Sequence, residues 1–215
     1  MDELELLKKD WKNQDEKYPK LTKDEIYKMI LKKSSSIVKW IFIISLLEFV
    51  FWFIISFALK DTESMKRFNE YDADFIVITI SIIGYVILAY FFYLFYRNYK
   101  KISVTDSAKV LMENILKTRK TVKQYVIFNL GYLILTTFIF SFIMFNQDQE
   151  IASKISAASQ NGEALKFYAI TILAIVIMLV IAVGVLLLFY FLIYGLLLKR
   201  LNRNYKELKK MELKN

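Results

Sequence analysis

Glu48 is the residue whose type and position invite chemistry. It is the one charged side chain deep inside an apolar stretch, at position 12 of the 23 residues Ile37–Leu59. A charged carboxylate at the middle of a bilayer costs on the order of 3 kcal/mol or more, so such residues face a helix-bundle interior and often mark function. No Lys, Arg or His sits at a similar depth to pair with it. Matching depth in the neighbouring stretches brings Tyr85 and Thr136 level with Glu48, with Tyr132 one turn away. The expectation is a protonated Glu48 hydrogen-bonded to one of these hydroxyls, because hydrocarbon disfavours the charged form. Three roles compete for it. The blandest is interhelical glue, a hydrogen bond worth about 1 kcal/mol. The others are a proton or ligand site, and a side chain of a shifted helix reaching the interface.

Little other chemistry is on offer. The chain has 0 Cys and 0 His. That excludes zinc fingers, Cys-ligated clusters, His- or Cys-ligated haem, disulfides and Ser–His or Cys–His nucleophiles. No nucleophile–base pair, metal cluster or phosphate loop is visible, so neither catalytic residues nor cofactor or metal sites are expected. The acids Asp61, Glu63, Glu70, Asp72 and Asp74 read as a solvated loop.

The elements that must hold Glu48 follow from composition. Of 215 residues, 56% are apolar and 16% aromatic, yet Lys and Arg number 30 against 21 Asp and Glu, a net charge of +9. The two facts coexist because the apolar residues fall in four blocks with the charges between them. About 20 apolar residues cross a bilayer as a helix. Ile37–Leu59, Phe75–Tyr96, Tyr125–Phe145 and Tyr168–Leu198 all qualify, and the only proline, Pro19, precedes them. The fourth, 31 residues, rises roughly 46 Å and must tilt or continue beyond the bilayer. The expected fold is all-α: a polytopic membrane protein, a four-helix bundle with cytoplasmic helical extensions.

Orientation follows from basic residues in the flanks. Segment 97–124 has eight, the tail 199–215 seven and residues 1–36 nine, whereas 60–74 has three and 146–167 two. Both termini are therefore expected in the cytoplasm and 60–74 and 146–167 outside, with the first span an uncleaved anchor. In a bacterium this is the inner membrane. The positive charges suit anionic headgroups rather than a specific nucleic acid.

Within residues 2–17, Leu4, Leu7 and Trp11 share one helical face, which could meet a cytoplasmic protein partner, pack on the protein itself or lie on the bilayer. Thr22-Lys23-Asp24-Glu25 has the form of a capping box. From it a helix over about 23–58 should run into the first span with Ile26, Ile30, Lys33 and Ile37 in its stripe. A similar helix should start near Thr105-Asp106, with Val110, Ile115 and Val122 on its apolar side. Isolated Gly84, Gly131, Gly184 and Gly195 make no close-approach pair. The aromatic runs Tyr90–Tyr96 and Phe189–Phe191 with Tyr194 read as interfacial belts.

These halves hint at a tandem two-span repeat. Ile30-Leu31-Lys32 matches Ile115-Leu116-Lys117, Val38-Lys39 matches Val122-Lys123, and Arg97-Asn98-Tyr99-Lys100 matches Arg203-Asn204-Tyr205-Lys206. The spacing shifts from 85 to 84 residues between the first two matches.

The opening, with Leu7-Lys8, Trp11 and Gln14, followed by four spans, resembles small uncharacterised membrane proteins of Bacteroidetes-type bacteria. The stretches Val104–Ser107 and Ile115–Thr121 are similar to that group too. The resemblance implies a sigma-factor-associated, anti-sigma-like regulator for some members. The carotenoid oxygenase label carried by others requires four iron-binding histidines, which this chain lacks. The expected role is thus non-enzymatic regulation or scaffolding through the N-terminal helix, its partners being the lipid bilayer and a cytoplasmic protein, with a homo-oligomer also compatible. The alternative is a small channel or proton-coupled transporter using Glu48.

Overall fold

The computed structural model describes residues 21–68, 70–105 and 107–213. The face formed by Leu4, Leu7 and Trp11 lies outside them. Every described element is a helix. In chain order these are α1 (Lys23–Leu59), α2 (Glu63–Phe68), α3 (Asp74–Ser103), α4 (Ala108–Gln147), α5 (Gln149–Gln160), α6 (Ala164–Tyr190), a π-helical turn (Phe191–Gly195) and α7 (Leu196–Glu212). Four helices are long and apolar enough to cross a membrane: α1, α3, α4 and the continuous rod Ala164–Glu212 of 49 residues.

Local chemistry places the ends. Thr22 caps α1, its hydroxyl accepting from the Glu25 N–H at 3.3 Å while the Thr22 N–H donates to the Glu25 carboxylate at 2.7 Å. That is the capping box expected from the residues. Helix α4 begins at Ala108, slightly later than Thr105-Asp106, because the Ser107 hydroxyl accepts from the Val110 N–H and takes the cap. At the opposite end of the bundle, 60–74 and 146–167 contain the helices α2 and α5 rather than plain loops. Asp148 caps α5 through the Ile151 N–H at 2.9 Å and accepts from the Tyr71 hydroxyl at 2.5 Å, tying the two connections together. Between α5 and α6, Glu163 N–H reaches the Ala158 carbonyl and Gly162 N–H that of Ser159. This six-to-one closure needs a left-handed residue, and Gly162 supplies it at φ +72°.

The helices α1, α3, α4 and α7 pack in a ring, each against its two chain-order neighbours, with α7 closing on α1. The core is concentrated toward the end where α1 begins and α7 finishes. Ile30, Val38 and Ile41 of α1, Phe95 and Ile102 of α3, Leu111, Ile115 and Val122 of α4, and Leu201 and Leu208 of α7 are all buried. Two expected stripe members point outward. Lys33 is exposed and Ser34 takes the interior position, while Val110 is exposed and Leu111 is buried. A lysine head is cheaper in water than in a core, and Val110 sits in the first turn of α4, where the next residue along faces the bundle.

Toward the other end the helices expose long rows of large apolar residues, among them Phe53, Phe57, Phe75, Ile78 and Phe142. Contiguous apolar surface of this extent is foreign to a water-facing monomer, whereas a bilayer solvates it at no cost. Of α6 only Tyr190 is buried.

The segments matched in sequence occupy corresponding places. Phe95 and Leu201, Asn98 and Asn204, and Ile102 and Leu208 are three buried pairs at a constant spacing, as are Ser34 and Thr118, Val38 and Val122 at theirs. Asn98 donates to the Thr121 hydroxyl at 3.1 Å and Asn204 to the Ser34 hydroxyl at 2.9 Å. Each asparagine thus joins the end of one half to the first helix of the other.

Candidate functional site

Glu48 faces the bundle interior and is buried. Its neighbours differ from those that depth-matching anticipated. The Tyr190 hydroxyl donates to Oε1 at 2.6 Å, and those of Tyr125 and Tyr194 donate to Oε2 at 2.9 and 3.2 Å. Tyr85 is exposed and packs edge-on against Phe49. Tyr132 instead donates to the Ile80 carbonyl at 3.1 Å, and Thr136 bonds back to the carbonyls of its own helix. The physical reason is register. Depth-matching treats each apolar block as an equal slab, but these helices extend well beyond their blocks and slide along one another. Tyr125, at the edge of its apolar block, and Tyr190 and Tyr194, late in the longest one, end level with Glu48.

Local sequence sets up the convergence. On α4, Tyr125, Asn129, Tyr132 and Thr136 recur at three- and four-residue steps, so a polar stripe runs down one face. That stripe was readable, and it is the signal that could have found Tyr125. On the fourth rod, Leu186, Tyr190, Tyr194 and Leu198 recur every four residues and are all at least partly buried. In a strict α-helix a four-residue step overshoots a turn by about 40° and would carry the row off the interior face. The wider π turn at Phe191–Gly195 takes up that drift. Such turns are common at functional sites. Tyr190 and Tyr194 are therefore interior residues, correcting the interfacial-belt reading, although Phe191 beside them is exposed. In the other run Phe91 and Phe95 are buried, while Tyr90, Tyr93 and Tyr96 stay exposed.

Aromatic rings box the carboxyl group. Tyr125 meets Phe91 at 5.5 Å, Phe95 at 5.4 Å and Tyr194 at 6.0 Å, each near edge-to-face. These are favourable ring geometries, and they hold the tyrosine hydroxyls in place.

Beside the box lies a cavity of about 350 Å³ whose lining includes Glu48, Trp52, Tyr85, Asn129, Tyr132 and Thr136. All four polar residues singled out from the sequence thus share one chamber, although Glu48 bonds none of the other three. Gly84 shapes the neighbouring wall. A Cβ there would stand 2.6 Å from the Tyr132 hydroxyl, so an isolated glycine suffices for close approach and lets Tyr132 reach the carbonyl behind it.

Three hydroxyl donors solvate an ionised carboxylate well. They do not neutralise it, and among the described residues Glu48 is in no ion pair. Adding a proton turns one acceptor oxygen into a donor. One tyrosine must then rotate its hydroxyl to accept, which a phenol can do. No group of three or more His, Cys, Asp or Glu that could hold a metal ion occurs among the described residues.

The described residues form an all-helical fold with four helices long and apolar enough to cross a membrane and a buried carboxyl group between them. The chain belongs to the family described as a domain of unknown function (DUF8845), whose profile matches residues 24–213. No curated protein and no solved structure matches it.

Proposed function

We propose that this is a multi-pass inner-membrane protein, both termini cytoplasmic, that works without enzymatic chemistry as a small proton channel with Glu48 as its proton site. The observation that carries this reading is one buried carboxyl group holding three tyrosine hydroxyls, with no counter-cation among the described residues, at the edge of a cavity. Glue would need one hydrogen bond and no cavity. Here a proton's arrival rearranges bonds that link α1, α4, the end of α6 and the π turn, so occupancy of Glu48 is coupled to how those helices pack. The regulatory reading rests on Leu4, Leu7 and Trp11, outside the described residues.

Proteoliposomes containing a trapped pH indicator and energised by a potassium diffusion potential test it. Wild-type vesicles should take up protons at least about tenfold faster than Glu48→Gln vesicles, a barrier difference of about 1.4 kcal/mol or more. Equal rates with folded protein in both would overturn the proposal.

A further inference from the structure

The cavity wall says what else Glu48 could receive. We infer that the chamber beside it binds a lipophilic organic monocation, which takes the place of the carboxyl proton. The inference rests on the proton-site reading and deepens it by naming the ligand class.

Three features converge on that chemistry. First, the lining includes one acid that is in no ion pair among the described residues, so whenever it is ionised the site carries a negative charge that a bound cation relieves and an anion would add to. Second, the walls are rings. Phe49, Trp52, Phe53, Tyr85, Tyr125 and Tyr190 all line the space, and ring faces attract a desolvated cation, most strongly where water is excluded. Third, the entrance residues Trp52, Phe53 and Tyr85 are exposed on the flank of the helices, among the apolar rows a bilayer would cover. A ligand entering there comes from lipid and must be soluble in it.

Small inorganic cations fit poorly. Calcium or magnesium needs six or more oxygen ligands, usually with more than one carboxylate, and this chamber has one carboxylate whose two oxygens already accept from tyrosines. The volume, about 350 Å³, lies at the lower end of ligand pockets, which run about 300–1,000 Å³. That suits a compact body of a few rings or alkyl groups.

Because the ligand cation and the proton both neutralise one carboxylate, they should exclude each other. Binding at a pH where Glu48 is protonated then releases a proton, and by linkage acidification weakens binding.

The experiment is isothermal calorimetry on the full chain in lipid nanodiscs, titrated with tetraphenylphosphonium and, separately, with the isosteric anion tetraphenylborate. Buffers of different ionisation enthalpy count the protons released. Tetraphenylphosphonium should bind with proton release, and Glu48→Gln should weaken it about tenfold or more and abolish the release. Tetraphenylborate should show no binding beyond that of empty nanodiscs. Trp52→Leu, on the exposed flank where folding is not at stake, should weaken the cation about fivefold with proton release intact. Equal tetraphenylphosphonium binding by wild type and both variants, or binding of the two probes alike, overturns the inference. Glu48-dependent proton uptake by vesicles without cation binding would overturn the ligand class alone. Cation binding without Glu48-dependent proton uptake would support the ligand class and overturn the transport reading.

Discussion

The three hydroxyls on Glu48 are unequal. Tyr190 is the sole donor to Oε1, at 2.6 Å, whereas Tyr194 shares Oε2 with Tyr125 and stands off at 3.2 Å. A buried acceptor that loses its only partner costs more than one that keeps a second. Tyr190→Phe should therefore destabilise the protein by about 2 kcal/mol, and Tyr194→Phe by about 0.5 kcal/mol, near the mean for interhelical bonds in membranes. Denaturation of the two variants in detergent micelles checks this. Equal losses would mean that the tyrosines matter as ring packing rather than as donors. At this scale the sequence disclosed that Glu48 is buried and uncompensated, from its type and place alone. It did not disclose the partners, because a tyrosine at a block edge and one at a block centre look different in composition while lying level in space.

Among the elements, α1 shows how far local signals reach. The capping box at Thr22 and Glu25 needs four consecutive residues and nothing else, and it is present as read. The backbone N–H of Thr22, and then its hydroxyl, hold the Glu25 carboxyl below its ordinary value of 4.5. The sign follows from that direction. A group whose acidity is strengthened by folding supports the helix end above its unfolded value, and the support disappears as the pH falls through the folded value. Hydrogen exchange at Glu25 and Ile26, corrected for its intrinsic pH dependence, should therefore show the first turn of α1 opening more as samples are acidified below about pH 4.5. In Glu25→Ala, which leaves no carboxyl to protonate, that turn should be open already and largely insensitive to acid. A wild-type end that stays closed through the acid range would contradict the capping account. The π turn in the fourth rod was equally encoded, in a four-residue spacing of buried positions. It reads as noise until the burial of Tyr190 and Tyr194, with Leu186 and Leu198 half-buried in line, shows that the spacing is a face.

The whole molecule separates into a tightly packed end and an end whose helices present apolar rows outward. Under the proposed topology the packed end lies in and beyond the inner leaflet, where water supplies the hydrophobic effect, at roughly 1.5–3 kcal/mol for each fully buried large side chain. At the other end lipid is as apolar as leucine, and burial brings no such gain. That difference explains why the core is lopsided although the apolar blocks are not. A fluorescent reporter joined after Leu213 should fold and emit in the cytoplasm, while an alkaline phosphatase fused at Asn161, in the α5–α6 turn, should be active. The opposite pattern would invert the protein in the membrane and place the core on the wrong side.

Hydrophobic length and charge asymmetry are properties of a stretch taken by itself. The four long apolar helices, the cap of α1, the buried face of Ile30, Ile115 and Val122, and the isolation of Glu48 from any cation could therefore be read from the chain alone. The tertiary structure alone decided that Tyr125, Tyr190 and Tyr194 receive Glu48, that Tyr85 turns outward, and that Gly84 opens room for Tyr132. Those outcomes depend on how far one helix slides along its neighbour. In a chain rich in apolar residues many offsets bury similar surface, and side-chain packing with a few polar contacts selects among them.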